Sequence, residues 1–312
     1  MGSVDCVLLN PAIDHVMEVN DFHAGGTFMS MASRIFPAGK AISVAVGLNA
    51  LGNEPRVLAV VGKEEKWLYD EWLSGVGIDR LLFPVDGATR RHVTVVDPAS
   101  GKTTHLREPG FRVDANVAGA VIDAVDASLV VLSGSFPPGL DGGAARQMVA
   151  SLGSRGIKTV VDTSGEPLNA IAVDGRATAI RVNEQELEAI TSGSEAGVEA
   201  IAKRAAELLH GDTSLVAVTR GQEGAILAMK DMVLEAWVDQ VPAGKHRGGT
   251  VGAGDAFMAG LVDGLVKGRG LEGLARGAVA AATASLLAPG PGALAVSDRD
   301  AILPRVALRR LT

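Results

Sequence analysis

Short apolar runs rich in β-branched residues alternate with longer stretches of helical spacing along most of the chain. SLVVLS (128–133), IKTVVDT (157–163), ATAIRV (177–182) and SLVAVT (214–219), bounded by Gly, Ser and Asp, predict strands. Residues 141–153, 184–191 and 195–210 lie between them with few helix breakers and predict helices. Parallel neighbours need crossover connections, so this order predicts an α/β fold, a mostly parallel sheet with helices on both faces. Two segments depart from the pattern. Residues 13–37 hold two strand-like runs around DFHAGG, and HVTVVD (92–97) leads through PASGK into TTHLRE as a hairpin. Together they predict a small sheet standing off the main one. The expected organisation is a core of residues 1–12, 38–88 and 109–312 with a discontinuous β-sheet lid of residues 13–37 and 89–108.

Composition narrows the function classes. At 312 residues the chain can bury a large core, as one big domain or two smaller ones. Its 36 acidic and 29 basic residues give a formal charge of −7 without any block of like charges, which argues against a nucleic-acid partner. Cys6, the single cysteine, lies in the apolar run VDCVLLN and reads as a small core residue in a reducing compartment. The N-terminus lacks a charged segment followed by a long apolar one, and GAVAAATASLLAPG is too short to span a bilayer. The expectation is a cytoplasmic protein with no membrane partner.

Chemistry concentrates in VGAGDAFMAG (251–260), which follows a strand-like run at 233–238 and opens a helix of about residues 254–267. Glycines 252 and 254 let a ligand approach the backbone, and the free amides of a helix start attract anions. Asp255 therefore has two readings. As a first-turn charge it would stabilise the helix dipole by about 0.3 to 1 kcal/mol. As a base it would accept a hydroxyl proton while the amides of Ala253, Gly254 and Asp255 hold charge growing on a transferred phosphoryl group.

Rival motifs fail on inspection. Gly39-Lys40 is followed by Ala41, and Arg34 stands where a phosphate-binding G-x-x-x-x-G-K-[ST] loop needs its first glycine. Phe257 occupies the third glycine position of a dinucleotide fingerprint. No G-x-S-x-G elbow occurs, and six scattered histidines with one cysteine make no zinc motif.

Nine segments in order carry a resemblance: NPAID (10–14), PAGKAISVA (37–45), TRRHV (89–93), REPG (107–110), SGSFPPG (133–139), DTSG (162–165), VNEQEL (182–187), TRGQEGA (219–225) and TVGAGDAF (250–257). The chain resembles the ribokinase-type (PfkB) carbohydrate kinases over nearly its whole length, and within them the branch acting on sugar phosphates, such as 1-phosphofructokinase and tagatose-6-phosphate kinase. The resemblance implies a Rossmann-like core with a β-sheet lid that forms a homodimer. It also implies transfer of the ATP γ-phosphoryl group to a sugar hydroxyl with Mg²⁺, Asp255 as base and Gly252, Ala253 and Gly254 beside it. By the same resemblance Asp14 binds sugar hydroxyls, while Gly39, Lys40 and Ser43 form the substrate loop and Glu108 belongs to the acceptor side. Asn183 and Glu186 match an N-x-x-E element whose carboxylate acts on Mg²⁺ through water; an N-cap followed by a first-turn acid explains the same pair structurally. Thr219, Gly221 and Gly224 match a loop near the nucleotide phosphates, where an ordinary turn between strands is the other reading.

Arg90 bears on the acceptor, because in the resembling family an arginine here accompanies substrates that already carry a phosphate, whose geometry a guanidinium fork fits. Arg91 stands beside it, and strand alternation sends the two to opposite faces. The match weakens at 38–43, where AGKAIS replaces the family's G-G-K-G-x-N and Ser43 stands for a longer amide. No lysine occurs between residues 15 and 36, where sugar-phosphate kinases of this group often carry one, leaving Arg34 as the available cation. The expected acceptors are fructose 1-phosphate, fructose 6-phosphate or tagatose 6-phosphate. The alternatives are a kinase of an unphosphorylated sugar or nucleoside, and a homologue that binds without turnover.

Overall fold

Two sheets organise the computed structural model, which describes residues 3–193, 197–239, 252–288 and 293–311. The strands are β1 (Ser3–Leu8), β2 (Ala12–Glu18), β3 (Ala32–Ala38), β4 (Glu54–Gly62), β5 (Asp79–Val85), β6 (Arg91–Asp97) and β7 (Lys102–Arg107). They continue as β8 (Leu129–Ser133), β9 (Lys158–Asp162), β10 (Ala179–Asn183), β11 (Leu215–Thr219), β12 (Ala225–Met229), β13 (Met232–Trp237) and β14 (Ala307–Arg310). The large sheet runs β14, β13, β12, β11, β10, β9, β8, β1, β4, β5. Pairing is parallel from β5 to β11 and antiparallel from β11 to β14.

The apolar runs are continuous because the sheet is covered on both faces. Along β1, Val4, Cys6 and Leu8 point into one core layer with helices Lys40–Ala50, Lys66–Gly75, Ala253–Val266 and Leu271–Ser285. Val7 points into the other, with helices Ala115–Asp123, Gly142–Ser154, Gly165–Asp174 and Val198–Glu207. The predicted helix at 195–210 is observed as Val198–Glu207, and residues 195 and 196 lie outside the described residues. Among the described residues no helix is long and apolar enough to cross a membrane.

The small sheet runs β3, β2, β6, β7 and uses both segments that broke the sequence pattern. Register assigns its two faces. Asp14 pairs with His92, and His92 with Arg107, so these three form one row on one face. Ile35, His15, Val93 and Leu106 form the adjacent row on the opposite face, where Ile35 and Leu106 are more than half exposed. The chain enters this sheet through Asn10 and Pro11 and again through Thr89. Asn10 Nδ2 donates to Ser135 Oγ at 3.0 Å, and Thr89 Oγ1 accepts the Gly62 amide at 3.0 Å. The buried Tyr69 hydroxyl donates to the Ala12 carbonyl at 2.6 Å, fixing the start of β2 to the core.

At the opposite, amino edge of the parallel strands the buried Asp5 carboxylate takes both Nε and Nη2 of Arg56, at 2.9 and 2.7 Å, and the amides of Asp126 and Ala127. It thus joins β1, β4 and the turn into β8. Asp5→Ala leaves a partly exposed guanidinium and two backbone amides without their main acceptor, so unfolding in urea is expected to lose about 1.5 to 3 kcal/mol. An unchanged midpoint with an unchanged slope would show that the pair does not hold the strands.

Candidate active site

Parallel strands deliver their carboxyl ends to one edge of the sheet, which is where open α/β sheets build sites. Here Ser133 ends β8, Asp162 ends β9, Asn183 ends β10 and Thr219 ends β11. The strands on either side of β1 were laid down in opposite directions, β4 then β8, which places the topological switch at β1. Asn10 and Pro11, just beyond β1, mark that crevice.

Two helices begin at this edge. The first spans Lys40–Ala50, after Gly39, whose φ of 150° and close approach to Leu8 leave no room for a side chain: an added Cβ would lie 2.6 Å from Leu8 Cδ2. The second spans Ala253–Val266, after Gly252 in the left-handed region at φ 89°. No side chain caps it, so the amides of Ala253, Gly254 and Asp255 are left to face the edge. Thr250 and Val251 of the TVGAGDAF segment lie outside the described residues.

Between these helix starts the structure gathers a compact charge cluster. Asp162 is fully buried and receives Lys40 Nζ and Arg181 Nη1 on the same oxygen, each at 3.1 Å, while Ser133 Oγ donates to its other oxygen at 3.2 Å. Arg181 Nη2 continues to Thr219 Oγ1 at 2.7 Å. A Cβ on Gly254 would stand 2.8 Å from Arg181 Nη2, so the glycine lets the helix start pack directly on the guanidinium. Burial alone would raise the Asp162 carboxyl, but Arg181 and Lys40 outweigh it and hold it below the usual range.

Asp255 behaves in the opposite way. Its residue surface is partly exposed, yet its carboxyl is desolvated by the atoms around it. That desolvation, reinforced by the Asp162 charge, pushes it up to about 7, with Lys40, Arg181 and the Ser43 hydroxyl only partly countering. Two neighbouring carboxyls thus have pKa values driven apart, the arrangement expected where one is structural and the other exchanges protons near neutrality.

The nucleotide-side candidates form a second group. Asn183 Oδ1 accepts the Glu186 amide and Glu186 Oε2 accepts the Asn183 amide, both at 2.8 Å, a complete capping box that holds the Glu186 carboxylate at the edge. Thr219 ends β11, and Gly221 and Gly224 bound the turn before β12. Arg220 fixes that turn, donating to Glu184 at 3.1 Å and Glu235 at 2.9 Å and pairing with Glu223.

On the small sheet, Asp14 Oδ1 lies 3.4 Å from His92 Nδ1. The half-buried Arg90 donates through Nε to Pro11 O at 3.1 Å and through Nη2 to Asn10 O at 3.0 Å. Glu108 accepts the Arg91 amide at 2.8 Å, so its carboxylate closes the end of the β6–β7 hairpin. Arg34 pairs with Glu18 at 3.3 Å in solvent.

Sequence reasoning missed Asp162, Arg181 and Arg220 as members of the site. DTSG and TRGQEGA were visible as segments, and Arg181 is the lone cation in the apolar strand run ATAIRV, which is the signal that marks a buried pair.

Comparison with known proteins agrees with this architecture. A family described as pfkB family carbohydrate kinase matches residues 8–298. The chain is 32% identical over 296 residues to the 1-phosphofructokinase of Rhodobacter capsulatus, covering 91% of this chain and 90% of that protein. It is also 32% identical to the 1-phosphofructokinase of Xanthomonas campestris, over 83% of each. The crystal structure of phosphofructokinase-2 from Escherichia coli in complex with fructose-6-phosphate shares the fold, with TM-score 0.88 at 23% identity over 97% of this chain and 99% of that one.

The Asp255 shift has a stability signature. A carboxyl raised on folding stabilises the folded state fully below its unfolded value, and that contribution is lost as pH rises through about 7. Asp255→Asn is therefore expected to be more stable than wild type at pH 8, by about 2 to 4 kcal/mol at most, with the advantage narrowing between pH 7 and 4. Urea unfolding at pH 8 and pH 5 checks this; an advantage independent of pH would contradict a desolvated carboxyl.

Proposed function

The chain belongs to the pfkB family of carbohydrate kinases, and we propose that it transfers the ATP γ-phosphoryl group to a hydroxyl of a ketose phosphate, with Asp255 as the base. The observation that carries the reading is the Asp255 carboxyl, raised to about 7 at an uncapped helix start. A base poised near neutrality can take a hydroxyl proton, and the amides of Ala253, Gly254 and Asp255 can hold the charge that develops on the phosphoryl group. The 1-phosphofructokinase relatives, by their name, supply the acceptor class: fructose 1-phosphate first, with fructose 6-phosphate and tagatose 6-phosphate as the close alternatives.

Lys40 and Arg181 neutralise Asp162 and bring two cations to the edge where the phosphates of ATP would lie. Thr219, Gly221, Gly224 and Asn183 would border the nucleotide. Among the described residues no three acidic, histidine or cysteine side chains converge to hold a metal. The fixed Glu186 carboxylate fits an ion that keeps most of its waters, so Mg²⁺ would enter on the ATP phosphates with Glu186 acting through water. When bound, Mg²⁺ neutralises phosphate charge. Asp14 offers two acceptor oxygens to sugar hydroxyls, Gly39 and Ser43 border the acceptor, and Glu108 shapes that side through the hairpin end. Arg90, held by two backbone carbonyls, presents its remaining donors to the acceptor's phosphate. The small sheet would serve as the lid that excludes water from the reacting phosphoryl group. Its opposite face, with Ile35 and Leu106 exposed, suits a homodimer formed lid to lid.

Release of ADP from Mg²⁺-ATP, followed across ketose phosphates, plain hexoses, ribose and nucleosides, tests the reading. Turnover is expected on phosphorylated ketoses, with Asp255→Asn lowering kcat by about 10² to 10⁴ while ATP still binds. Turnover confined to plain sugars would retain the base and discard the phosphate, and silence on every acceptor would leave a binding protein.

The pH profile is a separate check. Because the ionised form of Asp255 is the active one, kcat/KM is expected to fall about tenfold per pH unit below about 7. A profile flat down to pH 5 would exclude a base with that pKa.

A further inference from the structure

We infer that Arg107 is a second cation for the acceptor's phosphate group, acting across the small sheet from Arg90 and setting preference for phosphorylated over plain sugars. This rests on the ketose-phosphate reading above and names a residue that the reading did not contain.

Placement is the first ground. Arg107 ends β7 and pairs in register with His92, which pairs in turn with Asp14. Arg90 immediately precedes β6, and the charges of both Arg107 and Asp14 act on its guanidinium. The face carries Asp14, His92 and Arg107 together, with Arg90 held at the carbonyls of Asn10 and Pro11 at the crevice. Of the other nearby arginines one faces away, and the other shares this face one row further along but is already paired. Arg91 alternates to the opposite face, with its amide bound by Glu108, and Arg34 is paired with Glu18.

Unbalanced charge is the second ground. Arg107 makes no ion pair among the described residues, and the adjacent Glu108 is engaged with a backbone amide instead. Burial lowers the Arg90 pKa and the Arg107 charge lowers it further; Tyr69 and Asp14 offset this by less. Two like charges held close together, one of them half-buried, repel each other, and an anion with several acceptor oxygens placed between them would reverse the sign of that interaction. A phosphate monoester has the charge and the oxygens to do so. A plain sugar has neither.

The test compares wild type, Arg107→Ala, Arg107→Lys and Arg90→Ala on fructose 1-phosphate, fructose 6-phosphate, tagatose 6-phosphate and free fructose, with inorganic phosphate as a competitor. Arg107→Ala is expected to raise KM for the phosphorylated acceptor about 10- to 100-fold, the range of one charged hydrogen bond, with the effect on KM rather than kcat and KM for ATP little moved. Arg107→Lys should recover part of the loss, and inhibition by inorganic phosphate should weaken in the alanine variant. Arg107 is exposed on an edge strand, so thermal melting of each variant shows that fold is retained. If wild type turns over a ketose phosphate and Arg90→Ala raises its KM while Arg107→Ala does not, Arg107 is overturned and the function stands. An equal rise on free fructose also overturns it. If wild type turns over no phosphorylated ketose, both readings fall together.

Discussion

The site depends on a buried carboxylate, Asp162, being neutralised twice. Taking one carboxylate out of water costs several kcal/mol, and Lys40 and Arg181 on a single oxygen, with Ser133 on the other, offset it. Each partner comes from a different element: Lys40 from the first turn of a helix, Arg181 from β10, Ser133 from the end of β8. The interaction therefore orders the carboxyl edge of the sheet as it compensates its own burial. Its second consequence falls on Asp255. The cations that would otherwise stabilise an ionised Asp255 are already committed, and the Asp162 charge opposes it. A structural ion group thus sets the proton affinity of its neighbour.

Chain topology explains why so few residues suffice. Parallel pairing from β5 to β11 sends every strand's carboxyl end to one side, so Ser133, Asp162, Asn183 and Thr219 reach the same edge although 86 positions separate the first from the last. Asp5 with Arg56 occupies the opposite edge, where the same geometry yields a clasp between strands. One edge spends its charges on joining β1, β4 and β8, and the other keeps its cations beside open helix termini.

Much of this was legible in the sequence where the signal is local. The strand runs, the two segments of the small sheet, the helix start after Gly252 and the Asn183–Glu186 cap all rest on spacings within about ten residues, and the observed elements match them to within a few positions. Long-range partners were not legible. Lys40 reads as part of a substrate loop, and its contact with Asp162 spans 122 positions, which only the assembled sheet creates. Ser43 reads as a truncated amide, whereas folding sets its hydroxyl beside Asp255. Glu108 reads as an acceptor-side acid, and the hairpin register gives its carboxylate a backbone amide. In each case the residue type was visible and the partner was decided by topology.

The small sheet shows how period-2 alternation lets one layer meet two environments. Its strands are short and largely uncovered, so neither face is forced to be apolar by burial in the core. Along β6, His92 and Thr94 share the face of Asp14 and Arg107, while Val93 and Val95 share the face of Ile35 and Leu106. A one-residue slip in the β2–β6 register would exchange the two sets, placing Val93 and Val95 on the Asp14 face and His92 and Thr94 outward. The anchors that prevent this lie at the sheet's roots: Tyr69 on the Ala12 carbonyl, Thr89 on the Gly62 amide and Arg90 on the carbonyls of Asn10 and Pro11. Arg90 therefore ties the second entry into the small sheet to the first, because its guanidinium spans from the residue before β6 to the carbonyls just beyond β1.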